Sequence, residues 1–430
     1  MLISRRTFAT LTLGSIFAVA CSNEDRRSAG SGPGPAGAGR TSLDPHDWEG
    51  VLAAARGQTV NWYLWGGSES INRFVDDTYG PALKDRFGVT LRRVPIADTF
   101  DAVNQVLAED RAGTADGAVD MIWINGENFS TLRSAGLLYD GWARSMPNAS
   151  LVNWDNPAVA RDFGTDVGSM ESPWSSAQFQ LVFDTERTAE TDLPRSYAAL
   201  LDWACANAGR FTYIAPGPGG FQGTRFVKGA LFELSGGAEQ WQTFDQALWD
   251  KWAPQLWDYL EQLGPCLWRS GETYPKDESE LHRLFANDEV DFTITQAAVG
   301  PGALIAEGLV PDTAKAFVFD TNSIGDFNYV AIPANASNKA AAMVVANLLL
   351  DPEMQARQIV PANGFGLGYA IDPNRVTDPT ARRLLTDAAA QLGPAAVDPA
   401  DLASSLVGDA AAAYQDLVEA GWREALLGGL

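Results

Sequence analysis

Two short segments that follow predicted strands carry side chains suited to binding a small molecule. Trp65-Gly66-Gly67 ends the β-rich run 59–65, and Asn125-Gly126-Glu127-Asn128 follows the run 119–124. An indole ring stacks on planar or cationic groups, amides donate and accept hydrogen bonds, and a carboxylate pairs with an ammonium group. We therefore interpret Trp65, Gly66, Gly67, Asn125, Gly126, Glu127 and Asn128 as candidate ligand contacts.

Each of these candidates also has a purely structural explanation. Trp65 would equally serve as a rim aromatic packed on a neighbouring helix. Asn125-Gly126 is a common turn signal, and Glu127 favours the first turn of a helix. The ligand-binding interpretation depends on their position at strand ends.

The composition argues against several classes of protein. The chain has 430 residues, with 31 Lys+Arg against 54 Asp+Glu and a formal net charge of −23. Such a surface repels nucleic acid and anionic headgroups. The sequence contains two histidines, His46 and His282, so neither a histidine-rich metal site nor histidine-based catalysis is expected. We predict no enzymatic activity, no cofactor and no metal.

Strand and helix patterns alternate along the first third of the chain. The runs 59–65, 89–94 and 119–124 are β-rich, and amphipathic helical patterns over 71–87 and 98–113 separate them. Short βαβ connections favour a parallel sheet covered by helices, in which ligands meet the loops at the carboxyl ends of the strands. A second α/β region is predicted, with strands over 178–183, 210–214, 290–295 and 327–332 and helices over 196–206, 224–234 and 239–263.

The first 57 residues are predicted to export and tether the protein. Arg5-Arg6 and the uncharged stretch 8–20 are typical of a twin-arginine signal peptide over residues 1–20. Ala18-Val19-Ala20-Cys21 is similar to a lipobox, which would make Cys21 a lipidated N-terminus; a plain signal peptide with an accidental cysteine is the alternative. We predict a flexible tether over 21–57 and a protein lipid-anchored to the outer face of the cell membrane or its periplasmic side.

Two further cysteines, Cys205 and Cys266, leave two states open. They could pair in an oxidising compartment or remain two separately buried thiols.

Several segments together resemble the YnjB-type solute-binding proteins of ABC importers. The segments are Trp65 to Asn72, Asp120 to Phe129, Asp162-Phe163-Gly164, Glu171 to Gln178, Gly209 to Tyr213, Phe221 to Thr224 and Ile332 to Ala336. The resemblance covers about residues 58 to 360 in the same order. It implies an α/β, two-lobed type II periplasmic-binding-protein fold, in which each lobe is a central β-sheet flanked by helices and a hinge joins the lobes.

This resemblance implies domain boundaries and further candidate contacts. We predict lobe 1 over 58–175 and 330–430 and lobe 2 over 176–329. Glu171 and Trp174 precede the predicted first crossing between lobes, and Thr224 opens a lobe-2 helix whose free N–H groups would face the solute. Thr295, Gln296 and Asn328 are weaker candidates that could equally be sheet-edge and hinge residues.

The predicted function is capture of a small solute and its delivery to membrane permease subunits, by a protein expected to be a monomer. Glutamates combined with tryptophans suit an organic cation such as a thiamine-like or polyamine-like solute. Iron is disfavoured because the tyrosine pair expected after the strand near Thr295 is missing from the sequence. The alternatives are a secreted carbohydrate-active enzyme or carbohydrate-binding protein that uses aromatic platforms with paired carboxylates such as Glu127 and Glu171, and a tethered interaction module with an exposed tryptophan patch.

Overall fold

Strands and helices alternate along the residues that the computed structural model describes, which are 43–217, 219–363 and 365–428. The strands are β1 (Thr59–Trp65), β2 (Thr90–Ile96), β3 (Met121–Ile124), β4 (Arg161–Asp162), β5 (Thr165–Asp166), β6 (Glu171–Gln178), β7 (Gln180–Asp184), β8 (Phe292–Thr295), β9 (Ala314–Phe317), β10 (Ser323–Ala331) and β11 (Leu406–Gly408). The helices are α1 (Trp48–Ala55), α2 (Glu69–Phe74), α3 (Gly80–Phe87), α4 (Thr99–Arg111), α5 (Glu127–Ser134), α6 (Pro157–Ala160), α7 (Tyr197–Ala206), α8 (Phe221–Ser235), α9 (Gln246–Leu263), α10 (Glu278–Ala286), α11 (Gly302–Ala306), α12 (Lys339–Leu349), α13 (Pro352–Ile359), α14 (Pro379–Ala389), α15 (Pro399–Ser405) and α16 (Ala413–Leu427).

The larger sheet contains the predicted βαβαβ unit. Strands β2, β1 and β3 are adjacent, and β1 pairs in parallel with both of its neighbours. The parallel arrangement predicted from the alternating pattern is therefore confirmed. Because parallel strands end at the same edge of a sheet, the loops that follow β1 and β3 lie at one edge.

Two long strands, β6 and β10, lead from this sheet to the smaller one. They pair antiparallel from Gly325↔Gln178 to Ala331↔Glu171, while the other side of β10 pairs with β3 at its end and with β11 at its start. Strand β6 leads directly into β7, the centre of a three-stranded sheet ordered β8-β7-β9. The sheet pairings thus follow the course of two crossing strands expected of the two-lobed fold.

The two large hydrophobic cores do not follow the predicted lobe boundaries near the C-terminus. One core contains the larger sheet with α12 and α13, and another contains the smaller sheet with α8 and α9. In α16, Tyr414, Val418 and Trp422 are buried in this second core. The prediction that all of 330–430 belongs to lobe 1 is therefore wrong for α16, because its apolar face packs against α8 and α9.

The predicted tether is also partly wrong. Residues 1–42, which include the predicted signal peptide and Cys21, lie outside the described residues. Within the rest of the tether, Trp48–Ala55 forms α1, which Asp47 caps. Val51 and Ala55 are buried in the first core, where α1 packs on α12. The chain thus joins the folded body before residue 58.

The second α/β region contains a disulfide and lacks one predicted strand. Cys205 at the end of α7 and Cys266 after α9 form a disulfide, which settles the choice that the sequence left open. The run 210–214 is not a strand, because its backbone groups form single hydrogen bonds with separate segments of the chain. For example, the Phe211 carbonyl accepts a hydrogen bond from the Trp268 N–H at 2.7 Å.

Among the described helices, none has both the length and the apolar character needed to cross a membrane.

Candidate functional site

The loop after β1 presents Trp65 at the surface, as predicted. Its side chain is 44% exposed. A side chain at Gly67 would overlap the indole ring, and one at Gly66 would come within 2.7 Å of Pro95 Cβ on β2. The glycines therefore let the backbone lie against the ring and the neighbouring strand. The ring thus packs on its own loop and still exposes a large surface, and its contact with a solute stays a prediction.

The loop after β3 is held by two contacts that the sequence did not reveal. Asn125 Nδ2 donates to the carbonyl of Phe327 on β10 at 2.7 Å, and the Gly126 N–H donates to Asp162 Oδ2 at 2.5 Å. Gly126 has a φ of 61°, which glycine adopts readily. Asn128 is half-buried and Glu127 is exposed in the first turn of α5. Asn125 and Gly126 thus act in the structure by joining this loop to β10 and β4.

The β4–β5 hairpin brings an aromatic ring over this loop. Its two turn residues, Phe163 and Gly164, have φ values of 44° and 81°. A phenylalanine in this region is strained, and such strain occurs at functional sites. The Phe163 ring covers Gly126, where an added Cβ would lie 3.5 Å away. Its ring centroid is 6.3 Å from that of Phe221 at the start of α8. The hairpin therefore links the two cores at this point.

Trp174 lies in an aromatic cluster inside the first core. The ring is wholly buried and makes edge contacts with Trp62, Trp123 and Phe365 at centroid distances of 5.2, 5.0 and 5.5 Å. It has no exposed face in this structure, which therefore does not present Trp174 as the ligand contact that the sequence predicted. Trp174 lies at an irregularity where the pairing of β6 with β10 shifts register, so simple strand alternation does not determine the direction of its ring.

Asn328 connects this aromatic cluster to the crossing strands. Its Oδ1 accepts from Trp123 Nε1 at 3.2 Å, and its Nδ2 donates to Ser175 Oγ at 3.0 Å. The side chain is half-buried, and its second amide N–H forms no hydrogen bond with the described residues. Asn328 therefore holds β10, β3 and β6 together while keeping one donor.

Asp162 on β4 interacts electrostatically with two other carboxylates, Glu171 on β6 and Asp326 on β10, and we call these three residues the acidic cluster. Asp162 and Glu171 are 2% and 0% exposed. Asp162 Oδ1, Asp326 Oδ1 and both Glu171 oxygens are buried without a hydrogen-bond partner among the described residues. Glu171 is thus not on an open surface as expected, but deep beside Asp162.

The electrostatics of the acidic cluster follow from burial and mutual repulsion. Burial raises the pKa of Asp162 well above its ordinary value, against the lowering effect of the Gly126 hydrogen bond. Burial and the neighbouring Asp162 charge also raise the pKa of Glu171, which Arg133 opposes. Burial and the three carboxylates raise the pKa of Tyr329, whose hydroxyl donates to Val159 O at 2.9 Å. The cluster therefore favours either a bound proton or a bound cation.

Arg225 on α8 pairs with the acidic cluster from the lobe-2 side. Its Nη2 lies 2.7 Å from Asp326 Oδ2, and its Nε lies 3.6 Å from Asp409 Oδ2. Its guanidinium carbon is 4.6 Å from the Phe221 ring centroid. Lys228 Nζ is 2.9 Å from Asp409 Oδ1. Burial would raise the pKa of Asp409, but Lys228 and Arg225 hold it below its ordinary value. Arg225 is thus shared between Asp326 and Asp409, whereas Lys228 pairs with Asp409. The three Arg225 nitrogens are buried and form no hydrogen bond of ordinary geometry with the described residues.

The remaining predicted lobe-2 residues have different surroundings. Gln222 donates to Gln296 at 2.7 Å, and Gln296 donates to Glu278 at 3.3 Å. Thr295 Oγ1 accepts the Ala297 N–H at 3.2 Å. Thr224 is wholly buried and donates to Glu419 on α16 at 3.2 Å. Helix α8 begins at Phe221 and the Thr224 N–H bonds the Gly220 carbonyl at 3.1 Å, so the prediction that Thr224 opens the helix with a free N–H toward the solute is wrong. The helical period turns Thr224 to the face of α8 that contacts α16.

A cavity of about 370 Å³ adjoins the crossing strands. Its walls include Asp326, Ser176, Phe327, Val159 and Tyr369. None of the predicted ligand residues is among the described residues that line it. The volume is that of a small-solute pocket. No group of three or more His, Cys, Asp or Glu side chains suited to holding a metal ion occurs in the described part of the chain.

Sequence reasoning missed Asp162, Phe163, Arg225 and Asp326 as site residues. A Phe-Gly pair between two short polar segments is a weak hairpin signal. Arg225 lies in a helix of mixed composition, and Asp326 is an isolated carboxylate in a strand. Only contacts with segments distant in sequence distinguish these four residues from ordinary surface residues.

Comparison with known proteins identifies the relatives of this chain. The family model described as "Bacterial extracellular solute-binding protein" matches residues 78–367. "Protein YnjB" of Escherichia coli (strain K12) is 36% identical over 362 residues, which cover 83% of this chain and 92% of that protein.

Solved structures of ABC-transporter proteins share the fold. An ABC transporter from Clostridium perfringens has a TM-score of 0.58 at 14% identity, covering 85% of this chain and 99% of that one. The spermidine/putrescine ABC transporter substrate-binding protein PotD from Streptococcus pneumoniae, in complex with calcium and HEPES, has a TM-score of 0.57 at 12% identity, covering 86% and 99%. At these identities the likeness concerns the fold alone.

Proposed function

Because the chain belongs to the bacterial extracellular solute-binding proteins, we propose that it binds a small organic cation between its two lobes and delivers it to the permease of an ABC importer. Proteins of this family are components of ABC transporters that bind a solute and interact with permease subunits, and they are not enzymes. The carbohydrate-active enzyme considered from the sequence is therefore set aside. The family places the folded body outside the cytoplasm.

The observation that carries the cation proposal is that Asp162 and Glu171 are buried and have carboxylate oxygens without a hydrogen-bond partner among the described residues. Asp162 and Glu171 are buried, and Arg225 is shared between Asp326 and Asp409. An isolated buried carboxylate is costly unless it is paired or protonated. A bound cation would pair with these groups and so stabilise the form in which the β4–β5 hairpin covers Gly126. The net charge of −23 would also steer cations toward the protein.

Thiamine-like and polyamine-like solutes both fit this proposal. The cavity of about 370 Å³ beside Asp326 offers space for a small molecule. The exposed ring of Trp65 adds a surface on which a planar or cationic part of the solute could stack. We keep Trp65, Asn125, Gly126 and Asn328 as proposed solute neighbours and add Asp162, Phe163 and Asp326. Of these seven residues Asp326 alone is among the described residues that line the cavity.

A thermal-shift screen tests the proposal. The full exported body is heated with organic cations, organic anions, sugars and amino acids at equal concentrations. A true solute stabilises the folded state by RT ln(1 + [L]/Kd), about 2.7 kcal/mol at a hundredfold excess over Kd. We expect shifts with organic cations. If only sugars or anions raise the melting temperature, the proposed solute class is wrong while the transport role stands.

A variant pair localises the binding. Asp162→Asn removes one buried charge and keeps an oxygen that accepts from Gly126, so it should weaken cation binding. Asp202→Asn on α7 makes the same change of charge at an exposed position and serves as the control. Equal affinities of the two variants would place the cation elsewhere.

We further propose that the protein is exported by the twin-arginine route, is lipid-anchored through Cys21 and acts as a monomer. The support is the sequence pattern of residues 1–21. Mass spectrometry of the protein purified from membranes would detect the acyl chains. A Cys21→Ala variant that remains in the membrane fraction would contradict the lipid anchor, and sedimentation would measure the oligomeric state.

A further inference from the structure

The β4–β5 hairpin begins and ends in the first core. Val159 before the hairpin and Val167 after it are both buried in that core. The Val167 N–H bonds the Ala160 carbonyl at 3.0 Å and so closes the base of the hairpin. Asp162 adds the hydrogen bond to the Gly126 N–H, which belongs to the loop after β3. The base of the hairpin is therefore part of the first core.

The tip of the same hairpin, Phe163-Gly164, contacts segments that pack on the second core. The Phe163 carbonyl accepts the N–H of Ala412, the residue that precedes α16, at 3.3 Å. A Cβ added at Gly164 would lie 2.6 Å from the Gln242 carbonyl oxygen and 3.0 Å from Ala411 Cβ. Ala411 in turn packs against the second core. The absence of a side chain at Gly164 thus lets the tip lie directly against this core.

The contacts at the tip are weaker than those at the base. The centroid distance of 6.3 Å between Phe163 and Phe221 is toward the long end of the range for ring pairs. The hydrogen bond of 3.3 Å to Ala412 is also longer than usual. Among the described residues, no ion pair joins 161–166 to the second core. Because few buried contacts hold the tip, it should separate at a lower free energy than either core unfolds.

We propose that the tip of the β4–β5 hairpin is a clasp, formed by Phe163 and Gly164, that holds the two lobes together and releases when they separate. The hairpin stays with the first core, and the clasp parts from Phe221 and Ala412. Contacts made in only one arrangement of the lobes shift the balance between open and closed forms by their own free energy. This movement does not depend on the class of solute, so failure of the clasp would leave the proposed function standing.

A matched pair of glycine variants tests the clasp. Gly164→Ala adds a Cβ that would overlap the Gln242 carbonyl, so it should displace the tip from the second core. Gly168→Ala, just after the hairpin, adds the same group where no atom lies within 4 Å. Both glycines have a positive φ, 81° at Gly164 and 57° at Gly168. The comparison therefore separates loss of the tip contact from the backbone strain of an alanine.

Small-angle X-ray scattering of the full exported body without solute measures the separation of the lobes. We expect the radius of gyration of Gly164→Ala to exceed that of the parent by about 0.5–1 Å, against roughly 22 Å for a compact chain of this length. Gly168→Ala should keep the parent value. A folded Gly164→Ala variant with the parent's radius, or an equal increase in both variants, overturns the proposal.

Phe221→Ala tests the clasp from the second core. It removes the ring that faces Phe163, and it leaves no large cavity because Phe221 is 37% exposed. The radius of gyration should again increase. Phe100→Ala, at an exposed phenylalanine in the first turn of α4, is the control. Circular dichroism establishes that each variant is folded, and this pair decides alone if Gly164→Ala does not fold. A folded Phe221→Ala variant with the radius of Phe100→Ala also overturns the proposal.

Hydrogen exchange at the Gly126 N–H shows which core keeps the hairpin. Asp162 accepts this N–H at the base, so its exchange rate in Gly164→Ala should stay within about threefold of the parent rate. A larger increase would mean that the hairpin leaves the first core as well, which contradicts a clasp that releases at its tip.

Discussion

Asp162 Oδ2 accepts the backbone N–H of Gly126 at 2.5 Å and thereby ties the β4–β5 hairpin to the loop that follows β3. The other oxygen of the same carboxylate is buried and has no partner in the described structure. One side chain thus holds a strand-end loop and contributes negative charge to the acidic cluster.

The buried Glu171 makes stability depend on pH. Burial raises its folded-state pKa, so the folded protein binds more protons than the unfolded chain between the two pKa values. Its contribution to stability is present below the unfolded pKa, about 4.3, and is lost as pH rises through the folded one. Glu171→Gln, a neutral isostere, should therefore gain stability relative to the parent as pH rises, by up to about 1.4 kcal/mol per pH unit in that window.

Urea denaturation between pH 4.5 and 8 measures this difference. Glu261→Gln, in which an exposed carboxylate is replaced, provides the baseline. Curves for Glu171→Gln and the parent that run parallel across this range would show that Glu171 is not a raised-pKa group.

Trp65→Ala should weaken solute binding with little effect on folding. The side chain is 44% exposed, so removing it leaves no large internal cavity. Loss of an aromatic contact to a cation is expected to reduce affinity about threefold to thirtyfold. Calorimetry gives the affinity and thermal melting gives the stability. Phe244→Ala, at an exposed aromatic ring near Tyr414, is the control, and an equal loss of affinity in both variants would argue against a local role for Trp65.

Trp422→Ala tests the packing of α16 on the second core. The ring is 1% exposed and its Nε1 donates to Tyr213 Oη at 2.9 Å. Truncation of a buried aromatic side chain costs about 3–5 kcal/mol, so the variant should unfold at much lower urea concentration. Leu427→Ala, at a partly exposed position of the same helix, should change the unfolding free energy by less than about 1 kcal/mol. Similar losses in the two variants would contradict the observed packing.

Reduction of the Cys205–Cys266 disulfide should destabilise the protein. The bond joins positions separated by 61 residues and so restricts a long loop of the unfolded chain. We expect a loss of about 2–4 kcal/mol in the free energy of unfolding, measured in urea with and without reductant. The double variant Cys205→Ser with Cys266→Ser should be insensitive to reductant. A reductant effect that persists in this variant would assign the change to another cause.

The regular part of the fold was predictable because its signals are local. The runs that become β1 and β3 are followed by glycine-containing loops, and the helical patterns between them have buried faces at the expected spacing. The resemblance supplied the two-lobed arrangement, which the family match and the solved structures support. The prediction of a strand over 210–214 was wrong because a β-rich composition does not determine whether a partner strand is available.

The candidate site was less predictable because it depends on contacts distant in sequence. Glu171 and Trp174 were predicted as ligand contacts, yet both are buried in a strand whose residues are almost all buried, and their contact with a solute stays a prediction. Thr224 lies on the predicted helix, but its side chain faces α16. The position of a residue within the helical turn determines which neighbouring element its side chain contacts.

The sequence alone determined the acidic surface, the shortage of histidine and the alternation of strands and helices, because composition and hydrophobic period are properties of the chain itself. Only the tertiary structure decided that Asp162 interacts with Glu171 and Asp326, that Cys205 and Cys266 are bonded, and that α16 joins the second core. The physical reason is that burial and charge pairing depend on which distant segments become neighbours. A carboxylate that would be ordinary in solution acquires its chemistry when folding removes its water and places another carboxylate beside it.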